Sequence, residues 1–212
     1  MPQRSYSRSE IAKLEKRFRT NLVNSLTGFK SVSLVGTLSN DGITNLAVFS
    51  QIIHVGANPP LIGVLFRPHT VPRHTLENIL NTKSFTVNHI REDFVKQAHH
   101  TSARWDDSEF EACGFTPKFT SNVSAPYVAE ASLQLGLSYV EHYTLTCNET
   151  VFLVGEIQEI LLPEECIGSD GFVDLVTAGS LTCSGLDAYH QVQLPLRLTY
   201  AKPDQLVESI DQ

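Results

Sequence analysis

The chain has 212 residues, 42% hydrophobic and 18% charged, with 16 Lys and Arg against 23 Asp and Glu for a net charge of −7. A chain of this length buries roughly 70% of its unfolded surface, so it is expected to fold as a single domain without disulfides or a metal. The acidic balance lacks the basic surplus that binding a phosphate backbone demands, so nucleic acid is not an expected partner. Cys113, Cys147, Cys166 and Cys183 are widely spaced and form no C-x-x-C. That spacing argues against a metal or dithiol site and for free, mostly buried thiols in a reducing compartment. Residues 1–10 are polar, and no apolar run approaches the roughly 20 residues of a membrane span. The expectation is a cytoplasmic protein with no membrane partner.

The first predicted element is a helix. Ser7 and Glu10 form an S-x-x-E capping box, and Ile11, Leu14, Phe18, Leu22 and Leu26 then recur on one helical face. Gly28 is a natural C-terminal cap. The polar side carries Lys13, Lys16, Arg17 and Arg19 and reads as a solvated face. Residues 1–27 are thus expected to form a helix packed on a domain spanning 28–212. From 31 to 38 the chain reads as a strand. Asn40-Asp41-Gly42 marks a tight turn, and 43–55 resumes as extended chain. Asn58-Pro59-Pro60 breaks the pattern, because proline cannot extend a ladder. Strands are predicted at 61–66 and 85–90, with a short helix over 75–82 between them. Residues 91–126 are polar and irregular, with one helical turn near 108–112. Two more strands cover 132–143 and 150–162, a short helix is expected at 170–178, and the tail from Tyr189 has no clear pattern. The class is mainly β with additional helices, in a barrel or a sandwich.

No nucleophile elbow, P-loop, dinucleotide fingerprint or zinc-binding His spacing occurs. No metal site and no catalytic constellation is therefore expected. His99 and His100 are adjacent, so their rings diverge on regular structure. The most informative stretch is 42–75, which joins a hairpin strand to a Pro-bounded loop. That loop holds Arg67, His69, Thr70, Arg73, His74 and Thr75. A helix starting at Thr75 offers unpaired N–H groups and a positive dipole end, and arginine adds charged donors. The loop can be read as an anion cradle or as a polar surface loop.

Several segments taken in order resemble one family. They are Asn40-Asp41-Gly42, Thr44-Asn45-Leu46-Ala47-Val48-Phe49-Ser50, Asn58-Pro59-Pro60-Leu61-Ile62 and Phe66-Arg67-Pro68. His74-Thr75-Leu76-Glu77-Asn78-Ile79, Phe85-Thr86-Val87-Asn88 and Ser108-Glu109-Phe110-Glu111 with Gly114 follow. Ala125-Pro126-Tyr127-Val128-Ala129-Glu130, Val154-Gly155-Glu156-Ile157 and Gly185-Leu186-Asp187-Ala188-Tyr189 complete the series. Their order and spacing are similar to those of the flavin reductase-like family of FMN-binding split-barrel proteins, over roughly residues 28–203. The resemblance implies a six-stranded antiparallel split β-barrel, a homodimer with FMN at the subunit interface, and a small-molecule substrate. It implies that Asn45, Leu46, Ala47, Val48 and Phe49 lie along the flavin ring and that Ser50 reaches the ribityl chain or phosphate. Arg67, Arg73, His74 and Thr75 would hold the phosphate. Asn88, His100 and Ser102 are further candidates for the pocket wall or the partner's contribution. The implied activity is NAD(P)H-dependent reduction of flavin or a small acceptor, with NADH or NADPH as co-substrate. Flavin carries that chemistry, so no protein acid–base group is required. Many relatives have an Asp-His pair just before the strand matching 151–157, whereas this chain has Asn148-Glu149-Thr150. The alternative is a flavin-binding or electron-carrying module without nicotinamide-dependent activity of its own.

Overall fold

The computed structural model describes residues 2–210. Two short helices, α1 (Arg8–Lys13) and α2 (Lys16–Ser25), open the chain. The capping box forms as its residues require: the Ser7 hydroxyl accepts from the Glu10 N–H, and the Glu10 carboxylate accepts from the Ser7 N–H. The expected continuous helix is interrupted at Leu14–Glu15. There the chain turns extended, and Glu15 caps α2 by accepting from the Phe18 N–H. Neither helix buries a residue, so the predicted apolar stripe does not sink into the barrel.

The strands that follow are β1 (Lys30–Ser31), β2 (Ser33–Leu38), β3 (Thr44–Phe49), β4 (Ile52–Ala57) and β5 (Pro60–Phe66). After α3 (His74–Thr82) come β6 (Ser84–His89), α4 (Val95–His100) and α5 (Glu109–Ala112). The remaining strands are β7 (Pro117–Lys118), β8 (Tyr127–Val128), β9 (Gln134–Thr144), β10 (Val151–Leu161), β11 (Thr182–Ser184) and β12 (Ala188–His190). The main sheet has seven strands in the order β3-β2-β6-β9-β10-β5-β4, and every pairing in it is antiparallel.

This corrects the expectation of six strands in a barrel, because no ladder closes β3 onto β4. The extended run expected at 43–55 is broken at Ser50–Gln51, and its two halves form opposite edges of the sheet. Geometry then dictates the shape. A flat sheet of seven strands would hold its edges about 29 Å apart at ~4.8 Å per strand. Phe49 and Ile52 can be at most about 11 Å apart along the chain, so the sheet must curl. Register shifts between β9 and β10, at Val154/Gly155 and Ile157/Glu159, are bulges that bend the long strands. Helix α4 lies in a region expected to be irregular, and the short helix expected at 170–178 is a series of turns.

Strand alternation divides the core. Val35, Val64, Phe66, Phe85, Val87, Leu137 and Leu153 face inward, where Leu76 and Ile79 of α3 pack against them. Leu34 and Leu46 face the other way, onto Phe94, Ala98 and Phe110 of the α4–α5 layer. Close packing leaves no space at Gly136, where an added Cβ would lie 2.1 Å from the Tyr127 hydroxyl oxygen. Tyr127 is fully buried and donates to the Glu159 carboxylate at 2.7 Å, so it cannot swing away without losing that bond. All four cysteines are thiols without disulfide bonds. Cys113, Cys166 and Cys183 are buried and Cys147 is exposed.

Two consequences can be measured. Gly136→Ala should destabilise the fold by about 1–3 kcal/mol through overpacking, read by denaturant unfolding. His89, at the end of β6 beside the Ser180 hydroxyl, is held by burial down to about 4 from an ordinary 6.5. Between those values the unfolded chain binds more protons than the fold. Its contribution is therefore complete above pH 6.5 and is lost as pH falls toward 4. The loss should reach at most about 3 kcal/mol, and His89→Gln should flatten it.

Candidate functional site

Strand β3 is an edge strand, hydrogen-bonded on one side only, to β2. Antiparallel pairing turns alternate backbone groups toward and away from the partner. The Leu46 N–H points away from β2 and donates to the Glu109 carboxylate at 3.0 Å. The Thr44 hydroxyl pairs with that of Ser108 at 2.7 Å. By the same alternation, the backbone groups of Val48 face this open edge. Glu109 and Ser108 therefore cover one end of the edge and leave its Val48 end open. Sequence reading used Ser108 and Glu109 only as part of a resemblance. The signal for their role is a carboxylate at the start of a short helix, and only the fold shows that it reaches β3.

Side chains of β3 alternate as well. Leu46 is buried toward the α4–α5 layer and Val48 packs beside it. Asn45 is buried on the opposite face, where its amide donates to the hydroxyls of Thr37 at 3.2 Å and Thr75 at 3.0 Å. Thr75 sits in the first turn of α3, so this bond fixes the helix N-terminus against the strand. Ala47 is half-buried between them. Phe49 meets Phe66 edge-on with ring centroids 5.0 Å apart. The loop 67–73 is thus tied to β3 at both ends, through Phe66 before it and Thr75 after it.

The residues expected to form an anion cradle lie along this loop and the first turn of α3. Arg67 is exposed at its start, and His74 is exposed on the first turn of α3. Arg73 caps α3 without a side-chain capping bond. Its guanidinium donates to the Pro68 carbonyl at 3.4 Å, while its Nε is buried and has no partner. Glu77 organises the loop by accepting from the Arg73 N–H at 3.1 Å and pairing with His69 Nε2 at 2.7 Å. The Arg73 N–H and then His69 hold the Glu77 carboxyl below the usual range, so it is ionised at neutral pH. A buried guanidinium N–H without an acceptor, beside a helix N-terminus, fits the oxygens of a phosphate.

The other expected residues lie elsewhere. Asn88 is fully buried, donates to the Leu34 carbonyl and the Thr86 hydroxyl, and accepts from the Val128 N–H. The bonds to Leu34 and Val128 tie β6 to β2 and β8, so Asn88 acts as a core tether. Ser50, just past β3, lies beside the buried Cys183 thiol. His100, at the end of α4, stacks edge-on with Trp105 at 4.8 Å, and Ser102 donates back to the His99 carbonyl. His99 pairs with the Tyr189 hydroxyl at 2.9 Å. Tyr189 is pushed up to about 12 by burial, then by Cys183 and Asp187. Among the described residues, no group of three or more His, Cys, Asp or Glu could hold a metal ion.

Residues 29–175 match the model of the flavin reductase like domain. This chain belongs to the flavin reductase-like family. Its fold superposes with a TM-score of 0.90 on a flavin-reductase-type protein with a split barrel domain from Shewanella frigidimarina NCIMB 400. The two are 44% identical, and the match covers 94% of this chain and 100% of the other. Nitrilotriacetate monooxygenase component B from Bacillus cereus has the same fold, with a TM-score of 0.80 at 20% identity over 93% of this chain and 100% of that one. A protein of unassigned function from Aquifex aeolicus (strain VF5) is 29% identical over 150 residues, or 68% of this chain and 76% of the relative.

The family is a flavin-associated one, and FMN differs from riboflavin by the phosphate that the cradle fits. Arg73→Ala should weaken FMN binding by about 1.5–3 kcal/mol, the range for a charged hydrogen bond, and leave riboflavin binding nearly unchanged. Paired fluorescence titrations would check this. Equal loss for both ligands would mean that Arg73 acts through loop structure.

Proposed function

We propose that this protein is an FMN-binding flavoprotein acting as an NAD(P)H-dependent oxidoreductase on flavin or a small acceptor. The observation that carries the reading is the unpartnered, buried Arg73 Nε at the N-terminus of α3, locked by Thr75–Asn45 to an open-edged strand. In this reading, Arg67, Arg73, His74 and the first-turn N–H groups of α3 hold the phosphate. The backbone of 45–49 lies along the ring, and the open Val48 edge supplies rim contacts. When bound, the flavin supplies the electron-transfer chemistry. This chain binds and orients it and keeps water from one ring face. An acidic body bearing one local positive cradle suits a single phosphate better than a polyanion. The open edge of β3 also favours a homodimer in which a second copy completes the pocket, and the free thiols suit a reducing cytoplasm.

One observation favours a second reading, an electron-carrying module without its own nicotinamide activity. Asn148, Glu149 and Thr150 form an exposed turn between β9 and β10 with no histidine, and Glu149 there adopts a φ of 60°. His142 does not replace it. It sits on β9 opposite Leu153 and pairs with the Tyr139 hydroxyl at 2.8 Å.

The purified protein should be yellow, or gain flavin absorbance on adding FMN. Under anaerobic stopped flow, that absorbance should bleach rapidly with NADH or NADPH. Absence of flavin binding would reject both readings. Binding without bleaching by either nucleotide would select the electron-carrying module.

A further inference from the structure

Charge is segregated along this chain. Residues 1–30 contain seven Lys and Arg against two Glu, while the remainder contains nine against twenty-one. A net charge of about +5 therefore precedes a body of about −12, by direct count of those residues. The positive part is also the part without packing. α1 and α2 bury no residue, and Phe18 is 51% and Leu26 72% exposed. The pair is nonetheless well built. Both N-termini are capped, and Arg19 clamps α2 to α1 by donating to the Ala12 carbonyl at 2.9 Å. At its far end, the Lys30 ammonium anchors the segment to the Gly185 carbonyl at 2.8 Å. A short helix gains most of its stability from packing an apolar face, so this one lacks the surface that should cover it.

A complementary surface exists on the same molecule. The end of β10 and its continuation form a shallow groove lined by Ala131, Ile160, Leu161, Leu162, Pro163 and Ile167. Ile160 and Ile167 are about half exposed, at 54% and 48%. Ser132, Gln134 and Lys118 also line it, and the exposed Glu164 and Glu165 follow Pro163 in the chain. Phe18 and Leu22 of α2 match the apolar residues of this groove, and the basic N-terminal segment matches the net acidic body that carries it. The anchored helix does not dock there within its own chain, since none of its residues is buried.

We propose that α2 is an exchanged arm. It docks in the β10 groove of a second copy of this chain, with Phe18 and Leu22 in the groove and Lys13, Lys16 and Arg17 toward Glu164 and Glu165. Both halves of the contact lie on one sequence, so two copies can exchange arms reciprocally about a two-fold axis. An anionic membrane is the other surface that suits a basic amphipathic helix. The strongly acidic body that would follow α2 to the bilayer opposes that choice.

The test is zero-length carbodiimide cross-linking of the full chain, mixed from unlabelled and nitrogen-15-labelled protein and read by mass spectrometry. Mixed-isotope links from Lys13 or Lys16 to Glu164 or Glu165 are expected. Phe18→Asp keeps both lysines and, because Phe18 is exposed, keeps the fold. It should lower their yield at least about tenfold, as loss of one buried aromatic anchor does. Links confined to one copy, or Lys13 and Lys16 that do not link to these glutamates, would overturn the proposal even if the protein is dimeric through its main sheet. Co-sedimentation with phosphatidylglycerol vesicles, without mixed-isotope links, would overturn it in favour of a membrane surface.

Discussion

The hydroxyl of Thr37 accepts hydrogen bonds from two buried amides, Asn45 on β3 and Asn78 on α3, at 3.2 and 3.1 Å. The same Asn45 amide donates to Thr75 at the start of α3. Four polar side chains are thus buried together, and each finds its partner in another. A buried polar group left without a partner costs about 1–3 kcal/mol, so the network is stable only when β2, β3 and α3 hold one relative position. That position sets the entry of α3, and with it the direction of Arg73 and the loop before it. The site is rigid because its supports are polar and specific, where an apolar contact would tolerate sliding.

The curled sheet supplies the second constraint. Two residues between β3 and β4 must join opposite edges of a seven-stranded sheet, and the resulting curl is held by chain connectivity where no ladder joins those edges. An open edge invites pairing with other chains. Here Glu109 occupies the Leu46 N–H and Ser108 the Thr44 hydroxyl, which narrows the free edge to the Val48 end. The unclosed seam therefore also leaves the Val48 end of β3 unpaired, on the strand that Asn45 ties to α3.

Local charge at the cradle runs against the global charge. The body is acidic, yet the first turn of α3 and Arg73 make a positive spot within it. Glu77 is part of that spot without cancelling it. Its carboxylate is engaged by the Arg73 N–H and by His69, and it shapes the loop that presents the guanidinium. Sequence charge alone would place Glu77 among the residues repelling an anion.

The β character, the capping box at Ser7, the turn at Asn40-Asp41-Gly42 and the helix over the 75–82 segment were all legible in the sequence. Each depends on residues close together in the chain, where spacing carries the physics. The break of the first helix at Leu14–Glu15 was not legible, because Ile11, Leu14, Phe18, Leu22 and Leu26 keep helical spacing across it. Neither was the division of 43–55 into two opposite sheet edges, since both halves have the same extended texture. Asn88 and Asn45 look alike as sequence. Only the fold makes one a core tether and the other the link between strand and cradle, because their partners lie 40 residues away at Val128 and 30 away at Thr75. The sequence by itself determined which local elements form and which polar and charged residues they carry. Tertiary structure decided which of those residues converge, because convergence depends on strand order and on hydrogen bonds between distant segments, neither of which leaves a periodic trace in the chain.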